Sequence, residues 1–183
     1  SLSAGTVNLS SGAVLQRETA ALNWTAGALA GSGNLSLQNG GSLVLTGSGN
    51  RELNAANLAL VYANQSLPAG SLTVRAGSLT LNGSNTLLQG AALTLNGGSL
   101  VNNGPLSVAG TLSLISGNFS GSGTVTTTGT GTFSVPSGSS VNWAATGALS
   151  NTGTMNLSGQ TINIPIDNQG SMTLGSGLVF TQP

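Results

Sequence analysis

Very few residues of this sequence have side chains suited to acid–base chemistry. The three acids are Glu18, Glu52 and Asp167, the only cations are three arginines, and the chain has no histidine and no cysteine. Two carboxylates flanking a sugar linkage would be the pattern of a glycosidase, and Glu18 and Glu52 could approach each other across coils of the chain. Each directly follows an arginine, as Arg17-Glu18 and Arg51-Glu52, which favours a solvated charge pair in a turn. We therefore expect no catalytic residues and no enzyme activity.

The sequence does not predict a metal, cofactor or nucleic-acid site either. Calcium requires several carboxylate or carbonyl oxygens, and the calcium-binding repeat Gly-Gly-x-Gly-x-Asp is absent despite 29 glycines. The Gly-Ser-Gly segments lack the lysine and the following helix of a phosphate-binding loop. Three arginines balanced by three acids do not form the basic stripe that nucleic acids need.

Composition restricts the class of protein. Charged residues make up 3% of the chain, against about 25% in a typical soluble domain. The longest apolar runs, such as residues 58–62, are far shorter than the roughly 20 residues of a membrane-spanning helix, so a helical membrane span is excluded. Residue 1 is a serine that no export signal follows, so we expect either that a leader has been removed or that this is a segment of a longer chain.

Short apolar-x-apolar units recur along the whole sequence, for example Leu72/Val74, Leu93/Leu95 and Leu112/Leu114. Alternation with period two is typical of strands that have one buried face. The units are separated by Gly, Asn and Ser, as in residues 39–42 and 96–99, which make tight turns. The chain is therefore predicted to consist of short strands joined by turns.

The strands repeat at a longer interval as well. Every third unit starts 19 to 24 residues after the last, at Leu9, Leu29, Leu53, Leu72, Leu93, Leu112, Phe133, Met155 and Val179. A three-sided coil of about 20 residues stacks equivalent residues at the ladder spacing of roughly 4.8 Å. The sequence thus predicts an all-β fold, a three-sided parallel β-helix (β-solenoid) of eight to nine coils, forming a single domain over residues 1–183.

Two repeated runs carry a resemblance to a known family. These are Gly-x-Leu-x-Gly-Ser-Gly-x-Leu, at residues 27–35, and Asn-x-Gly-x-Met-x-Leu, at residues 168–174. The chain resembles the passenger repeats of bacterial filamentous haemagglutinin-type and autotransporter adhesins. That resemblance implies a right-handed parallel β-helix that is secreted to the cell surface.

The alternation also predicts which side chains face outward. If Leu72 and Val74 point into the core, the residue between them points out, and the same logic gives a column of Thr73, Thr94, Ser113, Ser134, Asn156 and Thr173. A second outward array is expected from Thr124, Thr126, Thr128, Thr130 and Thr132. Threonine favours strands and keeps a surface polar without charge; the alternative is a hydrogen-bonding face for glycans or ice, although the irregular identities argue against ice.

Asparagine and tryptophan have both a structural and a binding interpretation. Asn39, Asn96 and Asn102 lie in turns and are expected to stack into hydrogen-bonded ladders. Trp24 and Trp143 could stack on sugars, but both follow an asparagine in a repeated frame, which favours packing near a corner.

Three functions remain open. The first is a non-catalytic rod segment of an extracellular surface adhesin or cell-surface fibre, and the second is a self-assembling filament or sheath subunit. The third is an ice- or glycan-binding module that uses an outward Thr/Ser face. Neither end of the sequence predicts a capping helix, and lysine, the usual protector of strand edges, is absent. We therefore expect partners to be flanking coils or further copies of the chain, with host or matrix glycans as additional ligands.

Overall fold

The structure is a computed structural model that describes residues 2–9, 14–18, 21–31, 34–38, 42–45, 48–63 and 65–181, with side chains described for 2–8, 23–31, 48–54 and 65–181. Within these residues the chain forms strands joined by turns and bends, and it contains no helix. In β11, for example, Leu93 and Leu95 are buried while Thr94 between them is partly exposed. The predicted all-β class is therefore confirmed.

The described strands follow one another in the order β1 (Thr6–Leu9), β2 (Val14–Glu18), β3 (Ala21–Trp24), β4 (Gly27–Gly31), β5 (Asn34–Gln38), β6 (Ser42–Leu45), β7 (Asn50–Ala63), β8 (Ser66–Leu67), β9 (Gly70–Asn82), β10 (Asn85–Leu87), β11 (Ala91–Asn102), β12 (Leu106–Val108), β13 (Thr111–Gly121), β14 (Val125–Thr127), β15 (Thr132–Val135), β16 (Ser140–Ala145), β17 (Leu149–Asn151), β18 (Thr154–Leu157), β19 (Thr161–Ile162), β20 (Ile166–Asn168), β21 (Ser171–Leu174) and β22 (Val179–Phe180).

All pairings between these strands are parallel, and each strand pairs with the equivalent strand of a neighbouring coil. The largest sheet runs β1-β4-β7-β9-β11-β13-β15-β18-β21, with β16 also paired to β13. A second sheet runs β20-β17-β14-β12-β10-β8, and three two-stranded sheets join β2 to β5, β3 to β6 and β19 to β22. This stack of parallel strands is a β-solenoid, as predicted.

The number and shape of the coils differ from the prediction. The second sheet has six strands, so about six turns carry both large sheets, against the eight to nine coils expected. The long strands β7, β9, β11 and β13 run through a corner, so two of the three expected sides merge into one sheet. Register shifts at Leu95/Asn96 and Asn96/Ser99 take up the bend, because a bulge lets a ladder turn without ending.

The core consists of inward columns of apolar side chains. The first column contains Leu72, Leu93, Leu112, Phe133 and Met155 in register, each at most 2% exposed. Burying one such side chain contributes about 1.5–3 kcal/mol. The predicted stacking is thus correct over these five residues.

Outside this stretch the predicted register is wrong in three places. Leu9 pairs with Gly31 rather than with Leu29, whose partner is Val7. Leu53 pairs with Val74 rather than with Leu72, whose partner is Arg51. Arg51 therefore occupies the position in the first column that the apolar spacing assigns to Leu53. Val179 pairs with Thr161 in a separate sheet.

A column of glycines lies at the corner that leads into β13, β15, β18 and β21. A Cβ atom on Gly131 would overlap the carbonyl oxygen of Val108, one on Gly153 would overlap that of Gly131, and one on Gly170 that of Gly153. Neighbouring coils are so close here that only a residue without a side chain fits.

We expect Gly131→Ala to lower the free energy of unfolding by about 3 kcal/mol, because overpacking against backbone forces the coils apart. Gly138→Ala is the matched control. Gly138 has a φ of 80°, and no atom lies within 4 Å of the added Cβ. Its substitution should therefore lower the free energy of unfolding by about 1–2 kcal/mol, through the left-handed backbone conformation alone. Urea unfolding followed by circular dichroism measures both. Equal losses at the two positions would contradict this account of the corner.

Candidate functional site

Arg51 is buried inside the solenoid. It occupies the first inward column, between Gly27 and Leu72, and its exposed fraction is 1%. Its Nε donates a hydrogen bond to the carbonyl of Trp24 at 2.8 Å, and its Nη1 donates to the carbonyls of Gly49 at 3.1 Å and Ser71 at 3.4 Å. One side chain therefore ties together the backbones of successive coils.

The space for the guanidinium comes from the neighbouring coil. Gly27 has no side chain to fill the column above Arg51, and the fully buried Trp24 closes the region while its indole Nε1 donates to the Gly27 carbonyl at 3.2 Å. A buried arginine is tolerated where its fixed donors meet backbone acceptors. Its role here is to join coils, since it is closed off from solvent.

The predicted turn pair between Arg51 and Glu52 is wrong. Both residues lie in strand β7, so their side chains point to opposite sides of the sheet. Glu52 instead accepts from Arg75 of the next coil, with Oε2 2.8 Å from Nε. Both side chains of this ion pair are well exposed, so its contribution to stability is below about 1 kcal/mol.

The three acids are not brought together. Glu18 lies in the sheet of β2 and β5, Glu52 in the largest sheet and Asp167 in the six-stranded sheet. Asp167 is exposed and accepts from Nε2 of Gln169 at 3.1 Å. The side chains of Arg17 and Glu18 lie outside the described ones. Within the described residues there is no cluster of three His, Cys, Asp or Glu that could hold a metal ion.

The first predicted outward column lies on one side of the largest sheet. Its members pair residue by residue from coil to coil: Thr73, Thr94, Ser113, Ser134, Asn156 and Thr173. Toward the amino terminus the column continues with Glu52, which pairs with Thr73. The Glu52–Arg75 ion pair interrupts the uncharged surface at this end.

A second outward column lies two residues away, and most of its members were not predicted. It contains Ser71, Ala92, Thr111, Thr132, Thr154 and Ser171. Only Thr132 had been singled out. Alternation within each strand was the available signal, since every member stands two residues before a member of the first column.

The predicted array from Thr124 to Thr132 is divided between two sheets. Thr126 lies in β14, in the outward column Ser66, Thr86, Ser107, Thr126, Ser150 and Asp167, whereas Thr132 begins β15 in the largest sheet. Thr124 precedes β14. Thr128 and Thr130 lie in the turn, where their hydroxyls donate to the carbonyls of Val108 and Ala109, each at 3.4 Å.

Polar ladders form, but only some of the predicted positions take part in them. The buried Thr127 hydroxyl donates to Asn151, whose Nδ2 donates to Asn168 at 2.6 Å. Of the predicted ladder residues, Asn96 accepts from the Ser116 hydroxyl at 3.2 Å, Asn39 lies outside the described residues, and the buried amide of Asn102 has no hydrogen-bond partner within the described part of the chain.

The two tryptophans have different environments. Trp24 is completely buried, in agreement with a packing role. Trp143 is partly exposed and makes edge-to-face contacts with Phe119, at a centroid distance of 5.1 Å, and with Phe133, at 6.1 Å. Its side chain therefore belongs both to the core and to the surface.

Three cavities lie in or beside the apolar core. A void of about 10 Å³ lies between core leucines such as Leu72 and Leu93, and it is too small for a ligand. A groove of about 410 Å³ lies among the apolar residues of the last coils, including Ile164, Met172 and Phe180. A third recess, of about 450 Å³, lies on the side of the solenoid beside Trp143.

Comparisons with known proteins give no match: no family model, curated protein or solved structure is significantly similar to this chain. The parallel β-solenoid is consistent with the repeats of the adhesin families named above, whereas membership of those families remains a prediction. Among the described residues no helix is long and apolar enough to cross a membrane.

We expect Arg51→Met to lower the free energy of unfolding by about 2–4 kcal/mol. Methionine keeps an unbranched stem that fills the column, but the buried carbonyls it leaves behind cost about 1–3 kcal/mol each. Arg75→Met removes the same charge at the surface and should cost less than about 1 kcal/mol. Urea unfolding of both variants tests this, and similar losses for the two would show that Arg51 does not join the coils.

Proposed function

We propose that this chain is a non-catalytic structural segment of an extracellular adhesive rod. The observation that carries the proposal is the inward column ending at Leu174. In register with Leu157 above it, Leu174 occupies a core position, yet it is 51% exposed, while Leu157 is fully buried. A side chain at such a position is buried only if a further coil packs beneath it.

The neighbouring strand supports the same conclusion. Phe180 of β22 pairs with the buried Ile162 and therefore lies at an inward position, yet it is 47% exposed, and it lines the apolar groove of Ile164 and Met172. Exposed apolar area of this kind marks a surface that is covered in the functional assembly. Flanking coils that continue the same ladders would bury it and lengthen the solenoid.

The low charge and the outward columns of mainly hydroxyl side chains suit a rod whose role is mechanical and adhesive. A repeating surface of hydroxyl groups offers many weak hydrogen-bonding positions along its length. The resemblance to bacterial surface adhesins supports an extracellular location.

A self-assembling filament is the second candidate, favoured by the same exposed end. In that case another copy of the chain, rather than a flanking coil, covers Leu174. The β1 strand at the other end pairs in parallel with β4, so a stack of copies could continue the same parallel ladder.

Antibodies raised against the chain distinguish the two. A rod segment predicts that they label the outside of intact cells and detect, in denaturing gels, a polypeptide much larger than these 183 residues. A filament subunit predicts external label with a polypeptide of about this size. Label confined to the cell interior would contradict both.

The exposed end predicts weak association of the isolated chain. We expect concentration-dependent oligomers in sedimentation velocity, and we expect Leu174→Asp to abolish them because a charge in the contact would lose its hydration. Thr173→Asp adds the same charge on the adjacent outward position and should leave association unchanged. Equal effects of the two substitutions would show that association does not use the end of the core.

A further inference from the structure

Coils of unequal length meet beside Trp143. Thr127 and Asn151 are hydrogen-bonded neighbours in adjacent coils and are 24 residues apart. The next step of the same ladder, from Asn151 to Asn168, takes only 17 residues. The longer coil therefore has a wider perimeter than the coil that follows it.

The difference in length interrupts one side of the solenoid. Strand β16 has six residues and pairs with β13, whereas β19 has two residues and pairs with β22. Among the described strands no ladder joins β16 to β19. Between them lies the recess of about 450 Å³, here termed the Trp143 recess, which is lined by Val141, Trp143, Gly159, Gln160, Thr161, Asn163 and Thr181.

The lining of the Trp143 recess combines one aromatic surface with uncharged polar groups. Thr161 and Asn163 are exposed and flank the buried Ile162, so both point outward. Gln160 donates through Nε2 to the Ser139 carbonyl at 2.8 Å, which fixes its amide and leaves its oxygen as an acceptor. Hydroxyl and amide groups can both donate and accept hydrogen bonds.

We propose that the Trp143 recess binds a neutral saccharide. A sugar ring presents an apolar face of C–H groups, which packs on an aromatic ring, and a rim of hydroxyls, which pair with amides and hydroxyls. The recess has the volume of small-ligand sites, roughly 300–1,000 Å³. No charged residue lines it, so an acidic or sulfated sugar would lose hydration without gaining a counter-charge.

An extended peptide is the competing ligand, because the edge of β16 that faces the recess could accept a strand. The saccharide is favoured since the polar groups at the recess are side chains of Gln160, Thr161 and Asn163 around an aromatic ring. Thr181 lines both the recess and the apolar groove of Ile164 and Met172. Leu174 does not line the recess, and the proposal does not depend on the rod or filament function.

Fluorine NMR of the protein labelled with 5-fluorotryptophan tests the proposal. The chain has two tryptophans, so two resonances are expected, and Trp143→Phe assigns them. Titration with methyl glucoside, methyl galactoside, N-acetylglucosamine and cellotriose should shift the Trp143 resonance for at least one sugar. The Trp24 resonance should stay in place, and the dissociation constant should be about 1 mM, the weak range expected for a small ligand.

A matched pair of double variants locates the site. Thr161→Val with Asn163→Ala removes hydrogen-bonding groups from the recess and should weaken binding about fivefold or more, the effect of losing a net hydrogen bond. Thr6→Val with Asn8→Ala makes the same changes at two exposed positions of β1 and should leave affinity unchanged. Circular dichroism confirms that both variants are folded.

Three results would overturn the proposal. The first is the absence of a saturable shift of Trp143 with any sugar at 20-fold the expected dissociation constant, about 20 mM. The second is an unchanged affinity in the recess variant. The third is a shift of Trp143 caused by an uncharged extended hexapeptide and by none of the sugars, which would assign the recess to strand addition instead. The wild-type titration decides the matter even if a variant unfolds.

Discussion

The spacing of a parallel ladder, about 4.8 Å between coils, is the constraint on which the rest of this structure depends. Each residue lies directly beneath its equivalent in the coil above, so any residue type that recurs is stacked on itself. Apolar residues gain from this, as in the column from Leu72 to Met155, and amides gain by bonding to one another, as Asn151 does to Asn168. A charge repeated in every coil would instead repel its copy at that distance. The near absence of charge follows, and Glu52 is tolerated because Arg75 lies in the next coil.

The same constraint explains which parts of the fold could be predicted. Alternation is a local property of each strand, so the outward position of Thr73 and its stacking with Thr94 and Ser113 could be read from the sequence. Register, in contrast, can be predicted only by comparing one coil with the next. The prediction of register is wrong where a core position holds a residue that is not apolar. Arg51 is that residue: its hydrogen bonds to the carbonyls of Trp24 and Ser71 exist only in the coiled chain, and no local pattern indicates them.

The features at the surface were less predictable because they depend on where the chain turns. The threonines from Thr124 to Thr132 alternate as if they formed one strand, yet the corner between β14 and β15 divides them between two sheets. Trp143 follows Asn142 as Trp24 follows Asn23, but only Trp24 is enclosed. Trp24 pairs with Leu2 on one side and Leu45 on the other, whereas β16 pairs only with β13 among the described strands. The coil after Trp143 is shorter, and its length is set by residues later in the sequence.

Unequal coils interrupt the translational repetition of this solenoid beside Trp143. In a regular stack, neighbouring coils are separated by one ladder spacing of about 4.8 Å, which leaves no room for a ligand between them. An opening large enough for a small molecule requires a ladder to be broken, as it is between β16 and β19, and each backbone hydrogen bond lost there costs about 0.5–1.5 kcal/mol. The aromatic contacts of Trp143 with Phe119 and Phe133 lie at the same place and contribute about 0.5–1.5 kcal/mol each beyond their buried area. The aromatic cluster thus offsets part of the cost of the break, and the side chain that stabilises the opening is also the one that lines it.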